Sequence, residues 1–174
     1  MMGAGKSTIG RRLARELGMA FVDTDKLIVA SAQRSIAQLF AEDGEEAFRR
    51  RELDATREAF SGSPAVVALG GGAVTYPATR DLIARLALRV YVRIEPRTAL
   101  LRLRHSRTAR PMLGASLSLE RFQGLLALRE PLYREAEIIV SGDGRTAPVA
   151  LEIARRIHAL RRCHPERVES KDEQ

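Results

Sequence analysis

Gly3-Ala4-Gly5-Lys6-Ser7-Thr8 opens directly onto Lys6–Leu17, where Ile9, Leu13 and Leu17 recur at helical spacing among arginines and a glutamate before Gly18. The stretch reads as the second half of a phosphate-binding loop, G-x-x-x-x-G-K-[ST], feeding a helix. Glycines let consecutive backbone N–H groups converge on phosphate oxygens, and the helix N-terminus adds a field that favours anions. Lys6 is placed to reach the β- and γ-phosphates, and the Ser7 hydroxyl to ligate Mg²⁺. An ordinary glycine turn with a solvated Lys6 is the competing reading; G-A-G-K-S-T before an amphipathic helix weighs against it. The motif's first glycine and the buried strand that feeds it would fall before Met1, so the natural chain is expected to start upstream.

Outward from this loop, short apolar runs alternate with stretches of helical period. Phe21-Val22 reads as a strand ending at Asp23-Thr24-Asp25. From about Lys26 to Phe60 the pattern is helical in several pieces, with a Ser35/Gln38 capping box and a break at Gly44. Ser61–Pro64 is a turn cluster, and Ala65–Leu69 a buried-type strand stopping at Gly70-Gly71-Gly72. Pro77–Leu86, Pro96–Arg104, Leu119–Arg129 and Thr146–Arg161 read as helices, Arg89–Ile94 and Glu137–Val140 as strands. This alternation predicts an α/β domain with a mostly parallel sheet flanked by helices. Residues 105–118 have no period and read as a loop, and residues 162–174 as a disordered tail.

The chain has 174 residues, 45% of them hydrophobic and 29% charged, the balance of one globular domain. No apolar run is long enough to span a membrane. The lone Cys163 and the absence of a signal-peptide pattern point to a cytoplasmic protein. The net charge of +7 invites a nucleic-acid reading, but the arginines are dispersed and aromatic content is 5%, so a small anionic ligand fits better.

Two apart in an extended segment, Asp23 and Asp25 would face one cleft at the end of a strand, one holding Mg²⁺ water and the other a substrate hydroxyl. A plain helix cap by Thr24 or Asp25 is the alternative. At 3.6 residues per turn at most one or two of Arg49, Arg50 and Arg51 point inward. The glycines at 70–72 permit close approach of backbone to a ligand, or simply a tight turn. Arg104, Arg107 and Arg110 make 105–118 either a lid over a phosphate site or a solvated loop. Arg129 could complement a helix end.

Taken together, these residues resemble the shikimate kinase family. The likeness rests on GAGKST, the Asp23-Thr24-Asp25 acidic pair, Asp43-Gly44-Glu45-Glu46-Ala47-Phe48-Arg49-Arg50-Arg51-Glu52, the three glycines, Arg110–Leu113 and Arg129–Tyr133, in that order. The resemblance implies a P-loop NTPase fold of nucleoside-monophosphate-kinase type, with a five-stranded parallel sheet and a lid. It implies transfer of the ATP γ-phosphate to the shikimate 3-hydroxyl by a monomer. Carried over by motif, Gly3, Ala4, Gly5, Lys6, Ser7 and Thr8 hold the phosphates, and Ser7 and Asp23 serve Mg²⁺. Asp25 binds the hydroxyls and orients or deprotonates the attacking one. Arg49, oriented by Glu52, clamps the carboxylate with Arg129, and Gly71 approaches the ring. Arg110 swings onto ATP, Arg145 contacts adenine, and Arg104 stacks near the base. Residues 1–161 then form the kinase domain, with 26–60 its substrate-binding helical part. A gluconate kinase is the nearest rival, disfavoured because Lys26-Leu27-Ile28 stands where that family has His-Pro; an inactive ATP-binding module is the rival from another class.

Overall fold

The computed structural model describes residues 1–104 and 118–163. Along the chain run α1 (Lys6–Leu17), β1 (Ala20–Asp23), α2 (Thr24–Ala32), α3 (Ile36–Glu42), α4 (Gly44–Phe60), β2 (Ala65–Ala68) and a 3₁₀ turn at Ala73–Thr75. There follow α5 (Pro77–Leu86), β3 (Val90–Arg93), α6 (Pro96–Arg104), α7 (Leu119–Tyr133), β4 (Ile138–Ser141) and α8 (Thr146–Cys163). The expected loop at 105–118, including Arg107 and Arg110, lies outside the described residues except for Ser118, which caps α7 by accepting from the Arg121 backbone N–H.

All strand pairing is parallel, as alternating β and α segments require. β1 pairs with β2, setting Asp23 beside Ala68, and β3 pairs with β4, setting Arg93 beside Ser141. The five-stranded sheet implied by the resemblance is thus seen, among the described residues, as two two-stranded pairs with no ladder between them. Both pairs end at the same side as the phosphate-binding loop, because each strand feeds a turn that packs there.

The main core gathers Ile9 and Leu13 of α1, Tyr91 and Val92 of β3, Phe122 of α7, Ile138 and Val140 of β4, and Ile153 and Ile157 of α8, together with Met1 and Met2. A second cluster, Ile28, Leu39, Phe48 and Ala55, holds α2, α3 and α4 together. It forms because each of these helices turns an apolar stripe toward the other two, α2 leaving Val29 exposed on its far side. The Ser35/Gln38 capping box is present in full, the Gln38 backbone N–H reaching Ser35 Oγ at 3.2 Å and the Ser35 N–H reaching Gln38 Oε1 at 2.8 Å.

Three helix boundaries differ from the sequence expectation by two residues or more. α2 begins at Thr24, so Asp23 ends a strand while Asp25 stands in the first helical turn; the two are not successive same-face residues of one extended segment. α7 continues past Arg129 to Tyr133 with Pro131 inside it, since its flanking contacts in the core outweigh one lost backbone bond. α8 runs through Arg162 and Cys163, two residues beyond the expected end, and residues 164–174 lie outside the described residues.

Candidate active site

The phosphate-binding loop turns through Gly3 at φ 73° and Gly5 at φ 79°, left-handed conformations that a side chain would strain. Gly3 is also fixed by packing: a Cβ there would stand 2.9 Å from the Ala99 carbonyl of α6. Gly5 caps α1, leaving the helix's first N–H groups facing the loop. Lys6 donates from Nζ to the Met1 carbonyl at 3.0 Å, and Ser7 Oγ donates to Asp23 Oδ2 at 2.7 Å. That last bond brings two hard oxygen donors side by side, a fit for an octahedral cation that takes its other ligands from phosphate and water. Among the described residues no group of three or more His, Cys, Asp or Glu gathers as an all-protein metal cage.

Of the three consecutive arginines only Arg49 turns inward, at 5% exposure. Its Nη1 donates to Glu52 Oε2 at 2.7 Å and its Nη2 to Glu45 Oε1 at 2.9 Å, while the guanidinium carbon lies 5.6 Å from the Phe48 ring centre and 5.9 Å from that of Phe40. Glu52 is 1% exposed. Burial pushes its carboxyl above the ordinary range, with Asp25 adding to the rise and Arg49 and Arg129 opposing it. Burial also disfavours the Arg49 cation, but Glu52 and Glu45 outweigh it and hold the charge more firmly than in water.

The glycines at 70–72 are explained by this pair. A Cβ on Gly70 would collide with Glu52 Oε1 and lie 2.9 Å from Asp25 Oδ1, and one on Gly72 would collide with the Arg49 guanidinium. Gly71 is different: a Cβ there would meet Met2 at 3.6 Å, an ordinary contact. The Gly71 carbonyl accepts from Tyr133 Oη and, at 3.4 Å, from Arg129 Nη1. Arg129 is 4% exposed.

The structure therefore brings Lys6, Asp25, Arg49, Glu52, Gly70–Gly72 and Arg129 to one place at the strand ends, with Ser7 and Asp23 beside it. It leaves Arg104 exposed at the end of α6 and Arg145 exposed in the loop before α8. That loop runs into Thr146 and Ala147, which with Thr8, Arg11, Arg12 and Arg15 line a cleft of about 300 Å³ next to the phosphate-binding helix.

The model of the shikimate kinase family matches residues 2–159. The chain belongs to that family. A shikimate kinase of Halorhodospira halophila is 45% identical over 157 residues, 90% of this chain and 86% of the relative. One of Mycobacterium avium is 44% identical over 149 residues, 86% of this chain and 84% of the relative. Among solved structures, the shikimate kinase of Acinetobacter baumannii in complex with shikimate superposes with a TM-score of 0.86 at 34% identity, covering 91% of this chain and 89% of the other. That of Bacteroides thetaiotaomicron does so with a TM-score of 0.79 at 28% identity, covering 92% and 93%. The P-loop kinase fold is thereby shared with shikimate kinases across the chain.

Glu45 and Tyr133 were quoted in sequence motifs without a role, yet both touch the site. Their spacing carried the signal: Glu45 is four residues before Arg49, and Tyr133 four after Arg129, so each shares a helix face with its partner.

Proposed function

We propose that this shikimate kinase family member transfers the γ-phosphoryl group of ATP to the 3-hydroxyl of shikimate, using the cluster at the strand ends. The observation that carries the reading is the buried Arg49–Glu52 pair pressed against Gly70 and Gly72, with Asp25 and Arg129 converging on the same glycine loop. A small polyhydroxy acid needs a guanidinium fork for its carboxylate and a carboxylate for its hydroxyls. Arg49 and Arg129 supply the first and Asp25 the second.

Phosphoryl transfer is then chiefly positioning and charge stabilisation. Asp25 accepts a hydrogen bond from the attacking hydroxyl and takes its proton as the new oxygen–phosphorus bond forms and the bond from the γ-phosphorus to the β,γ-bridging oxygen breaks, that oxygen's electron pair leaving with ADP. Lys6 and the loop N–H groups of Gly3–Thr8 hold the β- and γ-phosphates and offset the charge that develops between them. Ser7 and Asp23 are the side chains that would hold Mg²⁺, which would supply neutralisation of the phosphate charge there. In this reading Arg110 of the 105–118 lid reaches ATP, Arg145 borders the adenine, and residues 26–60 face shikimate within a domain of residues 1–161. The reading also takes the protein as a cytoplasmic monomer, which sedimentation of the purified chain tests for the oligomeric state. Among the described residues no helix is long and apolar enough to cross a membrane.

An ADP-release assay with shikimate and, separately, gluconate tests the proposal. ADP formation dependent on shikimate and absent with gluconate is expected. Turnover with gluconate alone would move the chain's activity to the rival sugar-acid reading, and nucleotide binding without turnover would leave an ATP-binding module.

A further inference from the structure

Arg49 faces two carboxylates in unlike surroundings. Nη1 donates to the buried Glu52 at 2.7 Å, and Nη2 donates at 2.9 Å to Glu45, whose side chain is 54% exposed. The Phe40 and Phe48 rings lie 5.9 and 5.6 Å from the guanidinium carbon, and the Gly72 backbone stands against both Nη atoms. Of these partners only Glu45 stands in water, so it covers the side from which a dissolved anion would approach. Removing the partner of a buried charge is costly, whereas an exposed ion pair contributes little. A carboxylate arriving from solvent thus exchanges with Glu45 and leaves the Arg49–Glu52 pair intact. Glu45 also lies, with Glu46, in the first turn of α4, where the helix N-terminus favours an acidic side chain swung back into solvent. Two carboxylates already share one guanidinium, so a third gains little from Arg49 until one of them withdraws.

We propose that Glu45 is a stand-in for the substrate carboxylate: it occupies Arg49 Nη2 between turnovers, yields that place to the incoming hydroxy acid and returns to it as the product leaves. The inference rests on the reading of Arg49 as a clamp for shikimate. The exchange keeps a buried guanidinium paired at every stage, and it holds the affinity below what Arg49 and Arg129 would otherwise give. Glu45 acts through Arg49 and is a positioning residue. The acid stands four residues nearer the helix start than the arginine, the order in which such a pair forms best.

Shikimate, its methyl ester and a non-hydrolysable ATP analogue are titrated separately, by calorimetry, into the full chain and its Glu45→Gln, Glu45→Ala and Glu46→Gln variants. Glu46 shares the first turn and the charge of Glu45 but pairs with Arg50, at 3.4 Å, rather than with Arg49. Both Glu45 variants are expected to bind shikimate about three- to five-fold more tightly, the worth of an exposed ion pair near its upper end. The methyl ester has no carboxylate to exchange and keeps its parental affinity. So do the ATP analogue, which also reports folding, and shikimate in Glu46→Gln. Parental or weaker shikimate affinity in Glu45→Ala overturns the proposal, weaker binding marking Glu45 as a fixed support for Arg49. Equal tightening of shikimate and its ester, or the same tightening in Glu46→Gln, overturns it as well. A parent chain that binds the ATP analogue but no shikimate removes the substrate reading and this inference together; shikimate bound equally by the parent and both Glu45 variants removes this inference alone.

Discussion

Alanine at each of the three consecutive glycines separates packing from substrate contact. At Gly72 the added methyl overlaps the Arg49 guanidinium, and at Gly70 it overlaps Glu52 Oε1. Ordinarily the end of an arginine moves aside cheaply. Here it is tied to Glu52 at 2.7 Å and to Glu45 at 2.9 Å and packed over Phe48, so relief of the overlap stretches a buried, charge-assisted bond. Loss of such a bond costs about 1.5–3 kcal/mol. For a domain of this size that lowers the melting temperature by roughly 3–12 °C. If Arg49 holds the shikimate carboxylate, the same displacement raises the shikimate KM by roughly 10–100-fold while the ATP KM holds. Gly71→Ala meets only ordinary contacts, with Met1 and Met2, so its melting temperature stays near that of the parent, and a rise in shikimate KM alone is expected if the backbone at Gly71 lies against the substrate ring. Calorimetry and steady-state kinetics on Gly70→Ala, Gly71→Ala and Gly72→Ala read both quantities. A Gly72→Ala chain with parental melting and shikimate KM, or a Gly71→Ala chain as unstable as Gly72→Ala, would refute the reasoning.

Tyr133→Phe removes the donor to the Gly71 carbonyl and is expected to cost about 1 kcal/mol and raise the shikimate KM a few-fold, measured by denaturation and initial rates. Arg110→Ala is expected to lower kcat by about three powers of ten with shikimate binding intact, as for other charge-stabilising arginines; an unchanged kcat removes the lid role. Burial pushes the Glu137 carboxyl up, but hydrogen bonds from the Arg89 side chain and backbone outweigh it and hold it below the ordinary range. A depressed carboxyl contributes stability above its unfolded value and loses it as pH falls through the folded one. Glu137→Gln should therefore lose less stability than the parent between pH 7 and pH 3, read from melting curves; an identical pH dependence contradicts this.

The α/β alternation and the first helix were legible because their signals are local. A glycine-rich loop before an amphipathic stretch, a capping box at Ser35, and proline at the start of α6 each decide their own few residues. That at most one or two of the three consecutive arginines turn inward was legible from helical period, and the burial of Arg49 alone agrees with it. What sequence could not carry was pairing at a distance. Gly70 and Gly72 serve the Arg49–Glu52 pair some twenty residues away, where the sequence suggested only ligand approach or a turn. Asp23 and Asp25 look alike on paper, yet a strand end and a helix turn send one to Ser7 and the other toward Glu52.

Titrating shikimate into the parent, Asp25→Asn and Arg129→Met chains puts the convergence of one carboxylate and two guanidiniums to its plainest trial. The account predicts at least a ten-fold loss of shikimate affinity in each variant, with affinity for the ATP analogue within two-fold of the parent. Parental shikimate affinity in both variants would contradict it.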